Sequence, residues 1–293
     1  MGTSAQIKNV SVVSLSYNKL TVTAIVTAGV ETNAGRVGDY AEFSESFKKL
    51  PLGTINIMLV INADMSKGAM TRALVTCTEA KTAALQELMV DSRFSNGLAT
   101  GTGTDQTIIA VNSDSELYYE SAGKHSKIGE LIGKTVISAV KEALAKQGNL
   151  TPELQHNLLR RLRRFGITEE TIWEQYLKIT DKPIKKKNIF NDTLKKISCS
   201  SPVFSYGILY IHLIDEYLWH LTSEEETKQT AVQLLKILSD KLDINCPSKF
   251  CDKSQGCERN LGVMTLEVES MKNLELILAL AVENNIKNAF RSK

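Results

Sequence analysis

The chain has no apolar run long enough to cross a bilayer. Its longest, around 54–61 and 274–282, fall far short of the ~20 residues a spanning helix needs. Cysteine is scarce, with five in 293 residues, odd in number and scattered. That excludes a disulfide-stapled scaffold and predicts reduced thiols in a cytoplasmic setting. Only Cys246, Cys251 and Cys257 are close together. Three thiols with no nearby histidine do not close a tetrahedral zinc site, so they read as ordinary loop thiols. Net charge is nearly absent too, at +2 from 35 basic and 33 acidic residues, and no polyelectrolyte bias points to nucleic acid. The first residues, Met1 to Gln6, lack the basic region and apolar core of a secretory leader. What remains is an ordinary globular composition, 43% apolar and 23% charged, in a chain long enough to bury a core without staples.

Glycine is depleted in one half only. Residues 1–147 carry 12 of the 17 glycines and residues 148–293 carry 5. The composition changes at Gly148-Asn149-Leu150-Thr151-Pro152, where Gly148 reads as a helix stop, Thr151 as an N-cap and Pro152 as a first helical position. Two domains follow, 1–148 and 149–293. In the first, residues 8–16 and 20–28 alternate and are β-branched around Tyr17-Asn18-Lys19, a hairpin pattern. Residues 54–61 are apolar on both faces and read as a central strand. A helix over 66–90 follows. Strands at 106–112 and 116–120 are joined by Ser113-Asp114-Ser115, and a helix spans 126–147. Hairpins require antiparallel pairs, so the expected fold class is α+β: a mixed or antiparallel sheet with packed helices. The second half predicts helices at 151–165, 168–179, 203–220, 223–242 and 264–286, an all-helical domain with its own apolar core.

Three glycine-bearing loops interrupt the first domain, at 27–39, 99–105 and 121–126. Such loops let a backbone approach a ligand and present neutral N–H and hydroxyl groups. The expected site lies where all three meet at one end of the sheet. Gly101-Thr102-Gly103-Thr104-Asp105 lacks the lysine of a P-loop and the third glycine of a dinucleotide fingerprint. Gly133-Lys134-Thr135 has a P-loop ending but falls inside a helix. The ionisable residues in or near the loops are Glu31, Asp39, Asp105, Lys124 and His125, with Glu79 and Lys81 on the first long helix. Glu79 and Lys81 are two apart and so face different ways.

These segments together resemble the adenosylcobinamide amidohydrolase family. The matching stretches are VTAGVETNAGRVGD (26–39), GTINIMLVINADMSKGAM (53–70), TCTEAKTAALQEL (76–88), NGLATGTGTDQTIIAV (96–111) and ESAGKHSKIGELIGKTV (120–136). The resemblance implies hydrolysis of the amide that joins the aminopropanol arm of adenosylcobinamide to its corrin ring. The products are adenosylcobyric acid and 1-aminopropan-2-ol, a step of corrinoid salvage in cobalamin biosynthesis. Family members carry further sequence before the segment that begins here near Ala5, so an N-terminal strand–helix portion is expected to be absent. Residues 150–293 match nothing in the family and read as a helical extension.

Amide hydrolysis needs an activated water, a stabilised oxyanion and a proton for the leaving amine. Asp105 is the first choice for the base, His125 for base or leaving-group acid, and Glu79 for a second acid or base. Thr32, Asn33, Gly101, Thr102, Gly103 and Thr104 are the expected substrate-binding residues, since a corrin rimmed with neutral amides suits uncharged donors. No Gly-x-Ser-x-Gly elbow is present, and Cys77 has no adjacent histidine. No cofactor, metal, membrane or nucleic-acid partner is expected; the corrinoid is substrate, and the oligomeric state is open. Arg160, Arg161, Arg163 and Arg164, with Lys185-Lys186-Lys187, lack aromatic interleaving and read as solvated faces. The alternative to an enzyme is a non-catalytic corrinoid- or nucleotide-binding regulatory module.

Overall fold

The computed structural model describes residues 1–40, 53–181, 183–184, 186–244 and 266–291. Cys246, Cys251 and Cys257 lie outside them. The chain divides into two compact units, Met1–Gln155 and His156–Lys293.

The first unit is a mixed sheet packed with helices. Strands β1 (Ser11–Tyr17) and β2 (Leu20–Gly29) form the expected hairpin, with Tyr17 opposite Leu20. Asn18 supplies the left-handed turn residue at φ 53°. After the two-residue β3 (Ala34–Gly35) comes β4 (Thr54–Ile61), antiparallel to β2. The two-residue β5 (Asp64–Met65) leads into helix α1 (Lys67–Glu87), whose N-cap Ser66 accepts from Ala69 N. Then follow β6 (Gly101–Thr102), β7 (Gln106–Val111), β8 (Tyr118–Tyr119), α2 (Lys127–Gly148) and the single turn α3 (Pro152–Gln155). The main sheet runs β1-β2-β4-β7, with β4 and β7 parallel.

Period-two alternation divides this sheet into two faces. Val22, Ala24, Val26 and Ala28 of β2 lie opposite Ile61, Leu59, Ile57 and Ile55 of β4, all essentially inaccessible. This face packs against α1 and α2 through residues such as Ala73, Ala84, Ile128 and Val136. The other face keeps Val12, Met58, Val60 and Ile108 exposed.

Two local expectations are corrected. Residues 106–112 and 116–120 do not form a hairpin. Asn112 N donates to Ile61 O and Ala63 O, which carries the chain past the end of β4, and β8 pairs in parallel with β5. Gly148 is the last helical residue rather than the stop. Asn149 takes the left-handed capping position at φ 52°, which asparagine tolerates.

The second unit is helical, with no strand among its described residues. Its elements are α4 (Leu158–Leu162), a 3₁₀ turn at Arg163–Phe165, α5 (Glu169–Ile179), α6 (Lys187–Ser198), α7 (Ser201–Leu218), α8 (Glu224–Lys241) and α9 (Leu266–Arg291). The single helix expected over 151–165 is broken because Asn157 starts a new one, its side chain accepting from Leu159 N. Helix α6 was not anticipated. Its lysines mask the inward stripe Phe190, Leu194 and Ile197. These residues join Leu158, Ile172 and Tyr176 in a core separate from that of the first unit. No single described helix is long and apolar enough to cross a membrane.

Arg164, expected on a solvated face, is buried. Its two terminal nitrogens donate to the two Asp215 oxygens at 2.6 and 2.5 Å. Removing Asp215 takes away the carboxylate that both terminal nitrogens of Arg164 bond. Asp215→Ala should therefore destabilise the helical unit by about 3–5 kcal/mol in urea unfolding. The double replacement Arg164→Met/Asp215→Leu should recover most of that loss. Equal loss in single and double variants would show that the pair's charge is not what matters.

Candidate active site

Two of the three glycine loops meet at one end of the main sheet. Here β2 finishes at Gly29, while β4 and β7 start at Thr54 and Gln106. Pairing of Ala34 with Thr102 and Gly35 with Gly101 ties the loops into a short ribbon. The third loop, 121–126, does not join them, contrary to expectation. It follows β8, which pairs with β5 beyond the opposite ends of β4 and β7, and runs along the middle of α1, where Thr76 Oγ1 donates to Ala122 O at 2.9 Å. Similar residue types gave all three loops the same reading; the parallel pairing of β5 with β8 separates them.

Asp105 is the hub of the two-loop cluster. Its Oδ1 accepts from Ile55 N at 2.9 Å and Thr102 Oγ1 at 2.6 Å. Its Oδ2 accepts from Thr102 N at 3.0 Å and Lys81 Nζ at 2.5 Å. Both members of the ion pair are about seven-eighths buried. The carboxylate thus joins β4, the glycine loop and α1. Gly101 is required by this closure: a Cβ there would stand 2.4 Å from Asp105 Oδ2 and 2.7 Å from Lys81 Nζ.

Beside this hub, neutral groups converge on one carbonyl. Asn33 Nδ2 and Thr104 Oγ1 each donate to Gly53 O at 3.0 Å, and Thr54 Oγ1 donates to Thr104 O at 2.8 Å. Gly53 sits at φ 146°, where a side chain would crowd Asn33 and Gly29. Beside it opens a cleft of about 220 Å³ lined by Gly29, Glu31, Thr32, Gly53, Gln147 and Gly148, among others. Among the described residues of that lining, Glu31 is the only carboxylate.

Of the residues expected in the site, Asn33, Gly101, Thr102, Gly103, Thr104 and Asp105 are brought together, and Thr32 lies beside them. Glu79 and His125 are elsewhere. Glu79 pairs with Lys124 at 2.9 Å, both exposed, and His125 is an exposed neighbour of that lysine. Asp39 closes the first loop, accepting from Arg36 N at 2.8 Å and Ser92 Oγ at 2.5 Å. Burial pushes its carboxyl up, but the hydrogen bonds from Ser92, Ser95 and Arg36 outweigh it and hold it below the usual carboxylate range. Burial pushes the Cys77 thiol up to about 12, against a smaller opposing effect of Lys81, so it stays protonated and offers no thiolate nucleophile. Among the described residues no group of three or more His, Cys, Asp or Glu could hold a metal ion.

Sequence reasoning noted Glu31 and Lys81 but gave neither a role. Lys81 flanks the buried stripe Ala73, Cys77, Ala80 and Ala84, a position legible from the helical period. The cleft beside Glu31 is made by the end of α2, distant in sequence, and no local pattern reveals it.

The first unit is thus a mixed sheet that presents hydroxyl- and amide-rich loops beside a small cleft. Comparison with known proteins gives that setting a family. The chain belongs to the adenosylcobinamide amidohydrolase (CbiZ) family, whose model matches residues 1–152. It is 40% identical over 164 residues to an uncharacterized protein of Methanocaldococcus jannaschii, an alignment covering 51% of this chain and 64% of that one. It is 34% identical over 135 residues to the adenosylcobinamide amidohydrolase of Methanosarcina mazei, covering 43% and 58%. The chain therefore spans less than two thirds of the length of either relative. No solved structure matches it.

The hub makes the two glycines of the loop unequal. Gly101→Ala should cost about 1–3 kcal/mol through overpacking against the ion pair. Gly103→Ala should be nearly neutral, because the nearest atom to its Cβ would be 3.5 Å away. Chemical denaturation of the two variants checks this; equal costs would contradict the geometry.

Proposed function

We propose that this chain hydrolyses the aminopropanol amide of adenosylcobinamide, giving adenosylcobyric acid and 1-aminopropan-2-ol. The observation that carries the reading is the family match over residues 1–152 combined with a small cleft that opens beside the glycine-loop cluster and is lined by Glu31. A cleft of about 220 Å³ suits the short aminopropanol arm and is too small for the macrocycle.

In this reading Asp105 fixes the loop, because four donors already occupy its oxygens. Glu31 is the carboxylate that meets water. It takes a proton from the attacking water and returns one to the departing amine nitrogen as the C–N bond breaks. The polar groups around Gly53 and Thr104 orient the amide by neutral hydrogen bonds.

Incubation of the purified chain with adenosylcobinamide should release 1-aminopropan-2-ol, detected by mass spectrometry. Glu31→Gln should lower kcat by about 100-fold or more in a folded protein, the usual scale for losing general acid–base assistance. Binding without turnover by the wild type would instead favour the non-catalytic module. Near-normal kcat in Glu31→Gln would return the proton-transfer role to Asp105, Glu79 or His125.

A further inference from the structure

The cleft beside Glu31 is bounded in part by residues without side chains. Gly29 ends β2 and Gly148 ends α2, and both line it. Gly148 leaves room for the acid–base group: a Cβ there would stand 3.1 Å from Glu31 Oε1. Gly29 has no such neighbour. It pairs in regular antiparallel register with Thr54, and its φ lies outside the left-handed region that favours glycine. A Cβ on it would meet Gln147 Cγ at 3.8 Å, an ordinary contact, and among the described residues no other atom beyond its chain neighbours lies within 4 Å. Gly53 and Gly101 are held to glycine by φ or by collision; Gly29 is not. Where alanine fits without strain it stabilises, because it restricts the unfolded chain. A strand glycine with no backbone reason marks a place that something else approaches closely.

The lining says what that something is. Ala28, Val30, Leu144 and Leu150 are buried and bring apolar surface to the cleft. Gln147, which the missing Cβ would touch, is pinned: its Oε1 accepts from Gln6 N at 3.0 Å and Asn9 Nδ2 at 2.9 Å, so this wall does not swing away to make room. Glu31 adds a carboxylate. An apolar recess about one methyl wide beside a carboxylate is the complement of a short branched amino alcohol, with its nitrogen at the carboxylate and its methyl in the recess.

We propose that Gly29 sets the size of the leaving group: the space its missing Cβ leaves receives the terminal methyl of the 1-aminopropan-2-ol arm, an assignment that rests on the hydrolase reading of the cleft. A methyl on residue 29 and the methyl of the arm compete for one place. Gly29→Ala therefore trades the branched arm for its unbranched counterpart, 2-aminoethanol.

The test compares adenosylcobinamide with its analogue carrying a 2-aminoethanol arm, as substrates of the wild-type chain and of Gly29→Ala. The wild type should favour the branched arm in kcat/KM by about 10-fold, and Gly29→Ala should lower that ratio by about 10-fold or more, the scale of one methylene in an apolar pocket. The urea midpoint of Gly29→Ala should equal or exceed that of the wild type. A lower midpoint would show that glycine serves the strand and would overturn the assignment. An unchanged ratio in the folded, active variant overturns it too and leaves the hydrolase reading standing. The two free amines, titrated into each protein and followed by NMR, give the same comparison without turnover. 1-Aminopropan-2-ol should bind the wild type more tightly than 2-aminoethanol, and Gly29→Ala should abolish the difference. That result without turnover of adenosylcobinamide supports the recess and removes the hydrolase reading. Neither amine binding nor turnover by the wild type removes both.

Discussion

The candidate site depends on one buried carboxylate. Asp105 receives two backbone N–H groups, a hydroxyl and an ammonium, drawn from a strand, a loop and a helix. An ionised carboxylate offers enough lone pairs for all four donors, and no neutral side chain does. Burying it without them would be prohibitive; with them it locks the glycine loop against the ends of β4 and α1. Gly101 follows from the same constraint, since any side chain there would collide with the ion pair. The charge of the cluster is thereby consumed internally. Apart from the Glu31 carboxylate, what the described loops leave toward the cleft is hydroxyl, amide and backbone.

In the proposed reading, that division suits a neutral, amide-rich substrate. A site lined with free charges would pay to desolvate them against an uncharged ring, whereas neutral donors and acceptors exchange water for carboxamides at small cost. The sheet supports it: its helix side is filled with small and branched apolar residues, so the strands are fixed. Family membership over residues 1–152 lies within this unit apart from its last turn.

Much of the fold was legible in the sequence because its signals are local. Alternation at 8–16 and 20–28 with Asn18 at the turn specifies a hairpin. The inward stripe of 126–147 specifies a helix, and Thr151-Pro152 marks a new helical start. The errors arose where distant pairing decides the outcome. Nothing between 106 and 120 announces that Asn112 will bond to the end of β4, so β8 was given to the wrong neighbour, and loop 121–126 with it. Helix α6 was hidden because lysines surround its three inward residues. At the site, the proximity of Asn33, Thr102, Thr104 and Asp105 was anticipated from their shared loop character.

The hub is tested most directly by amide hydrogen exchange in the wild type and Asp105→Asn. A side-chain amide in place of the carboxylate has one acceptor oxygen, so whichever way it turns, two of the four donors face its NH2 group. The Ile55 or Thr102 amide should then exchange about 10-fold faster or more, the size expected when a hydrogen bond to a charged group is lost. The amide of Leu59, in the middle of β4, should keep its protection. Unchanged exchange at both Ile55 and Thr102 would contradict the claim that the Asp105 charge holds the site together.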